Sequence, residues 1–442
     1  MIAQPGDKKR KNNNHICKKI IIFYINVEAK QLESDVMKRK RRLFITDYAL
    51  TPYKRIESCG ILCENDRIIA IGGVSGFSLD EPELEVYEIK NAYATPGFVD
   101  SHIHGARGFD ASTPLENDAT INDMSLCLAG RGVTSFVPTI VAAEPDVMIK
   151  NLADLAAIMA TPCSGAEAVG IHIEGPFINP RRLGSQVYSC PIDLGFMREM
   201  LAAGNGLVKR MTFAPELPGA LDLIEVLVTS GVNPSMGHSE ADERETLKAI
   251  DAGARCCTHL FNAMASLKQR EISLISVALT DNRVATELII DGRHIHPRMI
   301  DLTCRCKPLD KVIAISNATM AAGQPNGKYH IGGTNIRVEN GFSQTLDGVL
   351  AGTTTLLDTG WHSFMSYAGT SEMDAARTVT VNPARSLALF DRGELAPRMQ
   401  ADIAVFDRIT NRPLMTICRG NLVFSEKNFK VKAAQESADN ED

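Results

Sequence analysis

The segment Tyr93–Asp110 carries the feature that most constrains this chain, a pair of histidines separated by a single residue. The apolar run ATPGFV leads almost directly into His102-Ile103-His104. In an extended strand, residues i and i+2 point to the same side, so both imidazoles can face one point, as a metal site requires. Two histidines in a strand more often form a polar face than a ligand pair, so the metal interpretation depends on partners further along the chain.

Matching partners stand at the ends of later apolar runs. Glu174 ends the run AVGIHIE before Gly-Pro, His238 follows the glycine of VNPSMGHSE, and His259 follows the Cys-rich run of ARCCTHLFNAM. Four histidines and one glutamate at successive strand ends suit Zn²⁺, Fe²⁺, Mn²⁺ or Co²⁺, and do not suit a Cys-rich structural zinc site. Any one of these histidines alone would more often be a satisfied buried imidazole. The whole set, in this order, favours a divalent metal, with Zn²⁺ as the first candidate.

The chain resembles the N-acetylglucosamine-6-phosphate deacetylase family of the amidohydrolase superfamily, from about Leu43 to about Ser425. The resemblance rests on the motifs PGFVDSHIHG, HIEGPFINP, GHS, THLFNAM, NPAR and ADIAVFD. It implies a (β/α)₈ TIM barrel with its metal site at the C-terminal ends of the strands, plus a small β-sandwich built from both chain ends. It also implies deacetylation of an N-acetylated amino-sugar 6-phosphate, which yields glucosamine 6-phosphate and acetate in amino-sugar catabolism.

The same resemblance implies roles for the metal ligands. Glu174, His238 and His259 match the ligands of the family's main metal. His102 and His104 match the additional ligands of members that hold two metals, in which case Glu174 would bridge. One or two ions per chain are therefore expected.

Four further residues match the family's phosphate contacts: Asn262, Ala263 through its backbone N–H, Arg270 and His294. Arginine is suited to bidentate phosphate binding. Considered alone, Arg270 within LKQRE is equally consistent with a solvated charge on a helix. In the family one of these cations comes from a neighbouring subunit, so the resemblance implies a homodimer and a small phosphosugar substrate.

Two positions depart from the family pattern. Asn317, in KVIAISNATMAAG, stands where the family carries the aspartate that acts first as general base and then as acid. An amide has no proton-accepting carboxylate, and general acid–base catalysis contributes about 10²–10⁴-fold, so ordinary deacetylation should fall at least that far. Gln186 replaces a histidine that touches the substrate carbonyl; it can still donate a hydrogen bond, but not as a cation.

These departures leave three functions open. The favoured one is a deacetylase-family enzyme with impaired or altered chemistry. The second is a metal-containing sugar-phosphate binding protein without turnover. The third is an amidohydrolase that acts on another acylamino-sugar phosphate, such as N-acetylgalactosamine 6-phosphate, or on a cyclic amide.

The order of apolar runs agrees with a barrel. Between about residues 96 and 380, strand-like runs alternate with helical patterns, which predicts a parallel sheet with crossovers. Helical periodicity is found over Asn122–Arg131, Pro145–Met159, Ala220–Thr229 and Glu243–Ala252. Functional groups at strand C-termini are typical of a (β/α)₈ barrel. A doubly wound sheet is the structural alternative, but no GxGxxG fingerprint follows the first strand. Short strand-like runs near both termini predict one accessory sheet.

We expect four segments along the chain. Residues 1–42 hold twelve Lys/Arg against four Asp/Glu and should form a disordered basic extension; Met37 could be the start of the functional protein. Residues 43–95 and 384–428 should form the β-sandwich, residues 96–383 the barrel, and residues 429–442 a disordered acidic tail.

Composition bounds the partners. A net charge of -6 argues against nucleic acid. The longest apolar stretch near the start, Ile20–Val27, is far shorter than the ~20 residues of a membrane helix, and no signal-peptide cleavage pattern follows it. Eleven scattered cysteines, an odd number, favour reduced thiols in a cytoplasmic enzyme. A metal or redox role for the Cys304–Cys306 pair is the weaker interpretation.

Overall fold

The computed structural model describes residues 40–81 and 83–426. The expected acidic tail and nearly all of the basic extension lie outside the described residues. Arg41 and Arg42, at the end of that extension, already belong to the first strand, Arg41–Leu50.

A near-closed barrel of eight parallel strands forms the centre of the molecule, and neighbouring strands follow one another in chain order. We number them one to eight: Phe98–Ile103, Val133–Val141, Ile171–Glu174, Val208–Phe213, Asn233–Met236, Cys256–Cys257, Ala285–Ile289 and Val312–Ile315. The eighth strand meets the first where the Asn317 backbone N–H donates to the His102 carbonyl at 3.0 Å and that of His104 donates to Ala318 at 2.8 Å. The barrel predicted from the sequence is confirmed.

Helices connect and cover the barrel strands. They span Ile121–Ala129, Pro145–Met159, Leu194–Ala203, Ala220–Thr229, Glu243–Ala252, Leu274–Thr280, Pro297–Cys306, Leu357–Ala368, Glu372–Val379 and Val381–Ser386, with short 3₁₀ turns at Val74–Gly76 and Leu309–Lys311. Local sequence sets several starts. Thr120 and Asp242 each form a capping box with an acidic residue three positions on, which satisfies the free N–H groups of the first turn. No helix within the described ranges is both long enough and apolar enough to span a membrane.

Both chain ends contribute to one separate seven-stranded sheet, here called the accessory sheet. Its strands, from edge to edge, are Asn421–Ser425, Pro413–Cys418, Ile403–Asp407, Leu84–Pro96, Arg41–Leu50, Arg55–Glu64 and Arg67–Gly73. The sequence-based expectation that the two ends would form one accessory unit is confirmed. Trp361 joins this sheet to the barrel, because its buried ring packs edge-on against Phe98 of strand one at 5.3 Å and beside Phe406 of the accessory sheet at 5.4 Å.

A small antiparallel sheet, which we call the covering sheet, is inserted after strand eight. Its strands are Gly327–Ile331, Thr334–Glu339 and Phe342–Thr345. Two hydrogen bonds tie it to the barrel rim: Gly332 N–H donates to Asp110 Oδ2 at 2.7 Å, and Thr334 Oγ1 donates to the Ser185 carbonyl at 3.0 Å. The covering sheet thus lies over the C-terminal end of the barrel.

Two further strand pairings are short: Gly105–Ala106 pairs with Phe109–Asp110, and Glu167–Ala168 pairs with strand two.

Candidate metal centre and cavity

The five residues predicted to bind metal meet at the C-terminal end of the barrel, and all five are buried. His102 and His104 lie at the end of strand one, Glu174 ends strand three, and His238 and His259 follow strands five and six. His238 and His259 have φ angles of 48° and 31°. Such left-handed backbone is costly for a non-glycine residue and is often found at functional sites.

Glu174 is the centre of this cluster. Its Oε1 lies 2.8 Å from His259 Nε2 and 3.2 Å from His238 Nε2, while His102 Nε2 lies 3.7 Å from Oε1 and His104 Nε2 3.6 Å from Oε2. Two groups of three potential ligands result, one containing the first histidine pair and one the second. Within each group the ligand atoms lie within 4.8 Å of one another, and Glu174 belongs to both.

Backbone carbonyls fix the orientation of two imidazoles. Nδ1 of His104 lies 3.3 Å from the Thr139 carbonyl, and Nδ1 of His238 lies 2.8 Å from the Arg182 carbonyl. Because a carbonyl only accepts, each Nδ1 carries the proton and donates it. The lone pair of each Nε2 is then directed towards Glu174, which is the arrangement of metal-ligating histidine.

The charge states of His104, His259 and Glu174 suit a cation. Burial lowers the pKa of His104 to about 4 and also lowers the pKa of His259. Burial opposes ionisation of Glu174, but the nearby rings of His102, His238 and His259 outweigh it and hold the pKa of the carboxyl well below its usual range. Burial also opposes protonation of His102, yet Glu174 and Glu287 outweigh it and raise the pKa of that ring.

The donor set fits a divalent metal. Nε2 of His102 is buried and has no hydrogen-bond partner among the described residues, whereas buried polar atoms are nearly always paired. Nε2 of His238 and Nε2 of His259 also lie only 3.0 Å apart. One ion at each group of three ligands would satisfy these nitrogens, with Glu174 shared, so this donor set fits a divalent metal.

A cavity of about 250 Å³ opens beside the cluster. Within the described residues, every predicted site residue except His102 and Arg270 contributes to its lining. These residues are His104, Glu174, Gln186, His238, His259, Asn262, Ala263, His294 and Asn317. Ile331 of the covering sheet and Leu350 add apolar surface.

The two residues that depart from the family pattern are both buried in this lining. Gln186 Oε1 accepts from the Ala142 N–H at 2.9 Å, and its Nε2 has no partner in the described part of the chain. Asn317 Oδ1 lies 3.1 Å from His104 Nε2. Gln186 thus has an unpaired donor in a side chain that lines the cavity, and Asn317 places an amide directly against the cluster.

The residues predicted to contact phosphate separate into two sets. Asn262, Ala263 and His294 line the cavity, and His294 is held from behind because Asp291 Oδ2 lies 2.7 Å from its Nδ1. Arg270 is exposed and lies outside the lining that the described residues form.

Three buried side chains around the cluster were not predicted from the sequence: His172, Arg210 and Glu287. Both ring nitrogens of His172 are satisfied, by Thr139 Oγ1 at 3.2 Å and Thr212 Oγ1 at 2.8 Å. Arg210 and Glu287 form an ion pair across the barrel. A glutamate inside the run ATELI was the signal that could have identified Glu287, whereas Arg210 follows Lys209 in VKRMTF and carries no such signal.

A family model agrees with this architecture. The model described as "Amidohydrolase family" matches residues 93–435.

The chain is also similar to characterised proteins. The N-acetylglucosamine-6-phosphate deacetylase of Bacillus subtilis (strain 168) is 32% identical over 395 residues, which cover 87% of this chain and 98% of that protein. The N-acetylgalactosamine-6-phosphate deacetylase of Escherichia coli O157:H7 is 30% identical over 315 residues, 71% of this chain and 83% of that protein. A mutant of the N-acetyl-D-glucosamine-6-phosphate deacetylase of Mycobacterium smegmatis, solved with N-acetyl-D-glucosamine-6-phosphate, superposes with a TM-score of 0.81 at 30% identity, covering 87% of this chain and 100% of that one.

Proposed function

Because this chain belongs to the amidohydrolase family, and within it to the N-acetylglucosamine-6-phosphate deacetylase family, we propose that it deacetylates N-acetylated amino-sugar 6-phosphates in amino-sugar catabolism. The products would be acetate and an amino-sugar 6-phosphate, glucosamine 6-phosphate when the substrate is N-acetylglucosamine 6-phosphate. One observation carries the proposal: the His/Glu cluster and the phosphate-suited residues Asn262, Ala263 and His294 line the same cavity.

The two ends of the cavity would bind different groups of the substrate. The acetamido group would lie against the cluster, where the free Nε2 of Gln186 donates to its carbonyl. The phosphate would lie at the other end, against Asn262, the backbone N–H of Ala263 and His294. A divalent ion would supply Lewis acidity, which polarises a carbonyl and lowers the pKa of water towards about 7. Asn317 cannot accept a proton, so we expect the chain to turn over slowly.

We propose Zn²⁺ as the resident metal, with Fe²⁺, Mn²⁺ and Co²⁺ as alternatives that the same N/O donor set accepts. His238, His259 and Glu174 would hold the main ion, and His102 and His104 a second one that shares Glu174. The imidazole nitrogens and the carboxylate of the cluster support a metal of this group.

Metal removal should weaken the fold measurably. Metal analysis after chelator-free purification should find about one to two ions per chain, and stripping them should lower the melting temperature. An ion present at 1,000 times its Kd stabilises by about 4 kcal/mol, so re-adding Zn²⁺ should restore the loss. His296→Gln is a matched control for the response to Zn²⁺, because His296 is exposed and belongs to neither ligand group. Loss of its cap on the helix Pro297–Cys306 lowers the starting melting temperature, but the change on stripping and re-adding Zn²⁺ should equal that of the wild type. A metal-free protein whose melting ignores added Zn²⁺ would contradict the metal assignment.

We further propose a homodimer in which Arg270 contributes to the partner's phosphate site. Its exposure and its position outside the cavity lining of the described chain support a role across an interface.

We also propose that the enzyme is cytoplasmic, which the free state of all ten cysteines among the described residues supports.

Loss of Arg270 should selectively weaken binding of phosphorylated sugars. A charge-assisted hydrogen bond contributes about 1.5–3 kcal/mol, so Arg270→Ala should raise the Kd of N-acetylglucosamine 6-phosphate by about 10–100-fold. Binding of unphosphorylated N-acetylglucosamine should not change. Lys268→Ala, which removes a neighbouring exposed cation, should leave both affinities intact. Equal affinity of the wild-type protein for both sugars in calorimetry would remove the phosphate assignment.

Two alternative functions are each favoured by one observation. The similarity to an N-acetylgalactosamine-6-phosphate deacetylase favours testing that epimer, and Asn317 favours testing a binder without turnover. Acetate release from both 6-phosphates, measured with Zn²⁺ present and beside calorimetric binding, separates these functions. Binding of either sugar without any acetate would identify the protein as a binder.

A further inference from the structure

A buried ion pair crosses the barrel behind the metal centre. Arg210 of strand four and Glu287 of strand seven are both 0% exposed, and Arg210 Nη1 donates to Glu287 Oε1. The same carboxylate oxygen accepts from Ser101 Oγ at 3.2 Å, and Arg210 Nη2 donates to Ser386 Oγ. The pair is therefore anchored on several sides.

The second carboxylate oxygen reaches the metal centre. Oε2 of Glu287 lies 3.1 Å from Nδ1 of His102. On the other edge of that ring, Nε2 lies 3.7 Å from Glu174 Oε1 and has no hydrogen-bond partner within the described residues. His102 is thus held at Nδ1 by a carboxylate, whereas backbone carbonyls hold His104 and His238.

Burying two charges in a barrel core is costly, and apolar side chains of similar volume are often at least as stabilising. Stability alone therefore gives no reason for this pair. A carboxylate that only accepts requires the proton of a neutral His102 to be on Nδ1, which keeps the Nε2 lone pair on the side of Glu174. Arg210 occupies the other oxygen and fixes the carboxylate in this position.

We propose that Glu287, held by Arg210, is a positioning residue that fixes the tautomer and orientation of His102 and so sets the affinity of the His102–His104–Glu174 group for a divalent ion. The inference rests on the proposed function only in that the cluster holds metal. Carboxylate partners of metal-binding histidines typically change affinity by about 10–100-fold when removed. Among the described residues, no hydrogen bond joins the Glu287 side chain to Glu174, His238 or His259, so the ion held by that group should be retained.

The test compares Zn²⁺ binding by competition with a chromophoric chelator. Arg210→Met combined with Glu287→Leu removes the pair with little change in volume, and Glu287→Gln alone retains the shape. We expect the Kd of the ion at the first histidine pair to rise by about 10–100-fold in the double variant, with the other ion retained. Thr286→Val is the matched control, because that buried hydroxyl has no partner among the described residues and stands beside Glu287 on the same strand.

A second measurement uses the wild-type protein, so it does not require the variants to fold. Long-range ¹H–¹⁵N spectra of the Zn²⁺-loaded protein should show the proton of His102 on Nδ1. A proton on Nε2, or unchanged number and affinity of bound ions in a folded double variant, would overturn the inference. A wild-type protein that binds no divalent ion would instead overturn the proposed function, and this inference with it.

Discussion

Replacing Asn317 by aspartate should raise acetate release from N-acetylglucosamine 6-phosphate by about 10²–10⁴-fold, the usual contribution of general acid–base catalysis. The side chain is buried in the cavity lining, and its Oδ1 lies 3.1 Å from His104 Nε2, beside the cluster. Aspartate has the same shape and adds the proton acceptor that the amide lacks. The measurement is acetate release under saturating Zn²⁺.

Asn340→Asp provides the matched control. Asn340 is an exposed asparagine with a φ of 50°, close to the 49° of Asn317, so it tests the same exchange in the same backbone conformation. A wild-type rate that Asn317→Asp leaves unchanged would show that another residue supplies the base. We also expect the full gain in rate only when Gln186→His, which restores the family's histidine at the second departing position, is combined with Asn317→Asp. If the double variant binds the phosphosugar without turnover, the binder alternative is correct.

Replacing Glu174 by glutamine should remove metal and activity together. Glu174 is the carboxylate towards which the Nε2 atoms of all four cluster histidines are directed, so both ligand groups lose their shared member. Lewis-acid catalysis contributes several kcal/mol, which corresponds to a fall of more than about 10³-fold in rate. Metal content by mass spectrometry and acetate release should therefore fall in parallel, also in the Asn317→Asp background where the rate is easier to measure.

Glu199→Gln is the control for that exchange, because Glu199 is exposed on the helix Leu194–Ala203. It should retain metal and rate. A Glu174→Gln protein that keeps its full metal content would mean that the histidines alone hold the ions, and the central position assigned to Glu174 would be wrong.

The sequence predicted the helices whose start signals lie within a few residues of the helix itself. The helices Pro145–Met159, Ala220–Thr229 and Glu243–Ala252 have the predicted bounds. A proline at the first turn marks the start of the first helix and a capping box the start of the third. The helix predicted over residues 122–131 begins one residue earlier and ends at Ala129. The covering sheet was missed, because its short strands are stabilised by contacts with the barrel rim rather than by a strong period of their own.

The sequence predicted those site residues that stand in recognisable motifs. The resemblance predicted the metal ligands and the phosphate contacts, and strand ends bring most of these residues to one cavity. Their roles stay predictions. The pair formed by Arg210 and Glu287 lies 77 residues apart in the chain, and only barrel closure makes it a contact. Arg270 illustrates the opposite case, since its motif position predicted a phosphate contact but its single-chain environment is solvent.

The decisive measurement is acetate release from N-acetylglucosamine 6-phosphate and N-acetylgalactosamine 6-phosphate, by wild-type and Asn317→Asp protein, before and after metal stripping. We expect slow release by the wild type from at least one of the two sugars, faster release by the variant, loss on stripping, and recovery with Zn²⁺. No acetate from either sugar with either protein, or release that survives stripping, would contradict the proposed function.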